Sequence, residues 1–87
     1  MTGTEKQVAW AEDLKRKFFR TNDIYVEMYG KEFFEAVVEY INTTKTDAVF
    51  WIDSMKEDQN QLFCNMIDEF ADYLEANDKE TFNKYFA

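Results

Sequence analysis

A chain of 87 residues is long enough for one domain and too short for two, and a hydrophobic share of 46% is too high for a disordered one. Two Gly and no Pro argue against a sheet built on tight turns, and the absence of His removes the commonest general base and metal ligand. A net charge of −8 sets the chain against direct contact with nucleic acid phosphates.

In chain order, Thr4-Glu5-Lys6-Gln7 reads as a capping box, in which each side chain satisfies the other residue's backbone N–H. The helix it starts is expected to run to Arg20, with Gln7, Trp10, Ala11, Leu14 and Phe18 on its core stripe and Val8 and Phe19 at the margin. Lys15, Arg16, Lys17 and Arg20 fall in its last turns, where cations complement the helix dipole. Thr21-Asn22-Asp23 is a polar break. A second helical region reaches Asn42, with Gly30 as a kink or a break between a short piece (Ile24, Tyr25, Met28) and a longer one facing inward through Phe33, Phe34, Val37, Tyr40 and Ile41.

Thr46 and Asp47 are helix starters for a third segment, whose core stripe reads Ala48, Trp51, Ile52 and Met55. Glu57-Asp58-Gln59-Asn60 separates it from a fourth helix ending near Ala76. That helix has the cleanest amphipathic pattern, with Leu62, Phe63, Met66, Ile67, Phe70, Tyr73 and Leu74 in one band. Asn77-Asp78 then caps a last short helix whose Phe82, Tyr85 and Phe86 are available for docking. The expectation is a single all-α domain over residues 1–87, a compact bundle of four to five short helices.

The chemistry-bearing residues point away from catalysis. Without His no Ser-His-Asp or Cys-His arrangement can form, and Cys64 stands alone in an apolar segment, as a small core residue does. A lone thiol fits a reducing cytoplasm. No stretch reaches the ~20 apolar residues of a membrane span, and Met1-Thr2-Gly3-Thr4-Glu5-Lys6 lacks the order of a secretory signal. Asp68, Asp72 and Glu75, at i, i+4, i+7 with Glu69 beside them, have the oxygen ligands that Mg²⁺ or Ca²⁺ prefer. The same spacing is what a solvated helix face carries, so no metal or cofactor is expected.

The charge is uneven. Residues 1–56 hold ten acids and eight bases, whereas residues 57–87 hold eight acids against Lys79 and Lys84. Glu57, Asp58, Asp68, Glu69, Asp72 and Glu75 are the candidate contacts of this acidic part. Its field repels phosphates and attracts a basic protein surface; a solubilising role is the plainer alternative. The Lys15, Arg16, Lys17, Arg20 cluster is the counter-case for nucleic acid contact, weakened by Glu12 and Asp13 one turn earlier.

Two segments carry a resemblance. Thr4-Glu5-Lys6-Gln7-Val8-Ala9-Trp10-Ala11-Glu12-Asp13-Leu14 resembles the T-x-K-Q-x-x-W-A-x-x-I/L opening of a group of small bacterial proteins of phages and mobile elements. Ala48-Val49-Phe50-Trp51-Ile52-Asp53 is similar to the group's second motif, A-x-W/F-W-I-D/N. Where members often carry Arg after that motif, this chain has Met55-Lys56, and the part from Glu57 onward looks like an addition. The resemblance implies a helical fold and a mobile-element setting but no activity; by their own chemistry Trp10 and Trp51 read as core anchors, with a surface binding role for a tryptophan as the alternative. Small acidic proteins from that setting often inhibit host machinery, CRISPR nucleases among it. The expected function is therefore a non-enzymatic, cytoplasmic inhibitor that binds a basic surface of a host nucleic-acid-handling protein. The rival is an adaptor, homodimeric in one version, that uses Phe82, Tyr85 and Phe86 as an exposed aromatic patch.

Overall fold

The computed structural model describes all 87 residues and contains six helices and no strand. They are α1 (Glu5–Thr21), α2 (Ile24–Tyr29), α3 (Lys31–Thr44), α4 (Ala48–Ser54), α5 (Gln59–Asn77) and α6 (Lys79–Phe86). The all-α expectation holds, but the count is six rather than four to five. Gly30 breaks the second segment instead of bending it: its φ of 92° and ψ of 153° lie in a region open to glycine and strained for L side chains.

Helix starts follow local chemistry. The Thr4 backbone N–H donates to Gln7 Oε1 at 3.0 Å, and the Gln7 backbone N–H donates to Thr4 Oγ1 at 3.2 Å, closing the capping box. Asp47 accepts from Val49 N–H and Asp58 from the N–H groups of Asn60 and Gln61. Asp78 accepts from the backbone and the hydroxyl of Thr81. Each aspartate satisfies a donor that the first turn leaves without an intrahelical partner. The amino-terminal segment is pinned as well. Thr2 N–H donates to Thr46 O and Thr2 O accepts from Ala48 N–H, both at 2.8 Å. Gly3 beside it has a φ of 139°, and a Cβ there would lie 3.0 Å from that of Ala48.

α5 is the axis of the packing. It supplies Leu62, Phe63, Met66, Phe70 and Leu74 to a single cluster of twelve buried residues, so residues 57–87 share one core with residues 1–56. α1 and α4 pack on one side, where Phe18 and Trp51 meet edge to face with centroids 5.4 Å apart. α3 lies on the other, through Phe33 against Phe70 and Phe34 against Phe63. α2 inserts Tyr25, which stacks on Phe63 at 5.0 Å and brings its hydroxyl 3.4 Å from Cys64 Sγ. α6 turns back so that Tyr85 and Phe86 pack on Phe33. Asn22 is fully buried at the end of α1, where its Nδ2 donates to Phe18 O and Gln59 O and ties α1 to α5.

Several side chains fall elsewhere than their sequence spacing suggests. Trp10 is 46% exposed and is no core anchor, whereas Trp51 is 2% exposed and is one. The buried stripe of α1 centres on Ala11 and Phe18, with Val8 and Phe19 packed against it. It is turned by roughly half of a 100° residue step from the expected one, which carries Trp10 to the rim. In α4 the buried positions are Ala48, Trp51 and Ser54, a spacing of three that leaves Met55 and Val49 exposed. Tyr73 is exposed at the edge of the α5 band, and Cys64 is half-buried.

Candidate functional site

The six candidate acids of the carboxy-terminal part do not form one patch. Asp58 is spent on the start of α5, where its Oδ1 accepts two backbone N–H groups at 3.0 and 3.1 Å. Glu57 sits in the turn before it, exposed, and its backbone carbonyl accepts from Gln59 Nε2. Glu69 leans toward the α3–α4 connection and pairs with Lys45 at 2.9 Å, which cancels its charge locally. Asp68, Asp72 and Glu75 remain. All three are exposed, none makes an ion pair within the chain, and their spacing puts them in one row directly opposite the buried Phe63, Met66, Phe70 side of α5.

That row has definite dimensions. A rise of 1.5 Å per residue separates Asp68 from Asp72 by about 6 Å and Asp72 from Glu75 by about 4.5 Å along the axis. The three charges thus span about 10 Å, close to the ~8 Å screening length at physiological salt, so they act on a partner together. They are sparser than the phosphates of one nucleic acid strand, about one charge per 5 Å against one per 3.4 Å. The Tyr40 hydroxyl is pushed up chiefly by burial, with Glu69, Tyr73 and Asp72 adding to it. The three carboxylates do not converge, and no group of three or more metal-ligating side chains forms anywhere in the fold.

The basic cluster of α1 is partly neutralised by Glu12 and Asp13. Lys15 pairs with Glu12, and both Arg16 and Lys17 pair with Asp13, at 3.3 to 3.6 Å. Lys17 and then Arg16 hold the Asp13 carboxyl below the usual carboxylate range. Only Arg20 of the four makes no ion pair. The aromatic trio of α6 is occupied too. Phe82, Tyr85 and Phe86 are half-buried against the core, and Glu32 clamps the helix by pairing with Lys84 and accepting from the Tyr85 hydroxyl.

The exposed large apolar side chains lie elsewhere, on α2 above all: Ile24, Met28 and Tyr29 are each more than half exposed. No helix is long and apolar enough to cross a membrane. Compared with models of protein families, with curated proteins and with solved structures, the chain matches none. Function must therefore be argued from the surface itself.

Proposed function

We propose that this chain is a non-enzymatic binding protein that docks the outward face of α5 on a basic surface of a nucleic-acid-handling protein and blocks it. The setting is a mobile-element or phage product acting in the cytoplasm of its host, in the manner of anti-CRISPR and other nucleic-acid-mimicking inhibitors. The observation that carries this reading is the row Asp68, Asp72, Glu75: three exposed carboxylates in line, with no cation of the chain paired to them. An unneutralised row on a rigid helix needs no reorganisation to meet Lys and Arg side chains, and rim charges of this kind steer association. Its low charge density suits a groove lined by a few cations, not the imitation of a whole duplex. The adaptor reading draws less support, because Phe82, Tyr85 and Phe86 are committed to the chain's own core.

Immobilised wild type and an Asp68→Asn/Asp72→Asn/Glu75→Gln variant are compared for capture of host nucleic-acid-binding proteins at low and at physiological salt. Captured proteins are then challenged with duplex DNA. The expected outcome is capture that the variant loses, that salt weakens, and that DNA reverses. Capture unchanged by the variant, or untouched by DNA, refutes the reading.

A further inference from the structure

A second surface has the opposite character. An open groove of about 600 Å³ runs between the end of α1, α2 and α3. Its apolar wall is Phe19, Val26, Phe34 and Val38, and none of its lining residues comes from α5. Phe34 and Val38 are one turn apart on α3, off the row Phe33, Val37, Ile41 that faces the core. α3 therefore carries a second apolar row, and no element of the chain covers the groove that it lines.

The rim decides what fits. Lys31 and Glu35 cancel one another at 3.8 Å, while Asp23 and Glu39 make no ion pair. An apolar floor inside a net-negative rim matches an apolar segment flanked by cations. A second copy of this chain is a poor match, because two molecules of net charge −8 repel. An open groove beside a helix is also the shape that takes an amphipathic helix through apolar anchors at i and i+3 or i+4.

We propose that this groove holds a basic amphipathic helix of a partner protein, its apolar side chains against Phe19, Val26, Phe34 and Val38 and its Lys or Arg beside Asp23 and Glu39. The inference stands apart from the α5 reading, since the two surfaces share no residue.

A labelled Leu/Lys amphipathic peptide is titrated into the full chain with anisotropy as the readout, beside a scrambled peptide of the same composition. The ordered peptide is expected to bind at least about tenfold more tightly than the scrambled one. Asp23→Asn/Glu39→Gln, both at exposed positions, is expected to weaken it by about two- to tenfold. Val38→Ser is expected to weaken it by roughly tenfold, with thermal melts confirming that each variant is folded. Backbone NMR shifts on binding should gather at Val26 and Val38, and Asp68→Asn/Asp72→Asn/Glu75→Gln should leave affinity within about twofold.

Equal binding of the scrambled peptide would reduce the effect to bare charge attraction and overturn the proposal. Shifts centred on Asp68, Asp72 and Glu75 would move the binding to α5 and overturn it equally. Self-association of the free chain that Val38→Ser abolishes would assign the groove to a second copy instead.

Discussion

The fold gives the two tryptophans opposite tasks, and substituting each by Phe separates them. Trp51 is 2% exposed, sits within 6.4 Å of the rings of Phe18, Phe19 and Phe50, and donates its Nε1–H to Lys45 O at 3.1 Å. Trp51→Phe leaves that carbonyl without its donor, worth about 1–3 kcal/mol. It also leaves a void the size of the lost ring, for a total of roughly 2–4 kcal/mol. For a domain of this size each kcal/mol lowers Tm by about 4–8 °C, so the fall should be about 8–32 °C. Trp10→Phe, at a half-exposed rim position, should change stability by about 0.5 kcal/mol or less. Melts followed by circular dichroism measure the two shifts. Emission supplies an independent check, because each variant keeps one indole: the remaining Trp51 should be shielded from acrylamide and the remaining Trp10 quenched. Equal Tm losses, or equal quenching of both indoles, would refute the placement of the two rings.

Acid should loosen α6 before it loosens the core. Thr81, through its hydroxyl and its N–H, holds the Asp78 carboxyl below the usual carboxylate range, and Lys84 and then Tyr85 do so for Glu32. A depressed folded-state pKa contributes stability that is present above the unfolded value, about pH 4, and is lost as pH falls through the folded one. Hydrogen exchange of the Phe82–Phe86 amides should therefore accelerate below about pH 4 ahead of the Phe63–Phe70 amides, and simultaneous loss would count against the clamp. Lys84, raised by Glu32, gives the alkaline counterpart: its contribution is complete below its unfolded pKa and is lost above about pH 10.4. Gly30→Ala should destabilise by about 1–3 kcal/mol although no atom lies within 4 Å of the added Cβ, because the strain is in the backbone. A urea midpoint equal to wild type would contradict it.

What the sequence made legible was what neighbours along the chain decide. Thr4 and Gln7 lie three residues apart, and Asp47 and Asp78 each cap a donor two or three residues on, so those helix starts were readable. The buried row of α5 was readable for the same reason, since a helix long enough to hold five core residues averages out errors of phase. Short α4 had no such averaging, and a difference of one residue buried Ser54 where Met55 was expected. The rest depended on partners distant in sequence. Lys45 meets Glu69 across 24 residues, Thr2 pairs with the chain around Asp47, and Asn22 reaches Gln59 across 37. Of the six candidate acids, spacing alone placed Asp68, Asp72 and Glu75 in one row; Asp58 is spent locally on the N–H groups of Asn60 and Gln61, a cap hidden in a stretch that reads only as a separator, and Glu69 is engaged by a lysine 24 residues away. Val26 and Val38 escaped notice because an apolar residue off the main stripe looks like scatter until the fold sets two of them around one groove.

The central position of α5 gives the acidic row its mechanical quality. The helix is held from behind by Phe63, Met66 and Phe70, through rings contributed by α1, α2 and α3. Its carboxylates therefore ride on the most firmly anchored element of the fold, and little conformational entropy remains to be lost when a basic surface closes on them. The same anchoring keeps the row separable from stability. Asp68, Asp72 and Glu75 are exposed on the side of α5 opposite its buried row, so neutralising them should alter the field and leave the packing intact. α2 is the contrast: six residues, no side-chain cap, and three large apolar groups more than half exposed. A short helix in that state is the element most easily repositioned by a ligand, and Val26 places it on the wall of the groove. Binding there should then order α2 while leaving α5 unchanged. Slower amide exchange confined to Ile24–Tyr29 on addition of the Leu/Lys peptide would show it, whereas slowing spread evenly over the chain would mean global stabilisation by the ligand and no local ordering.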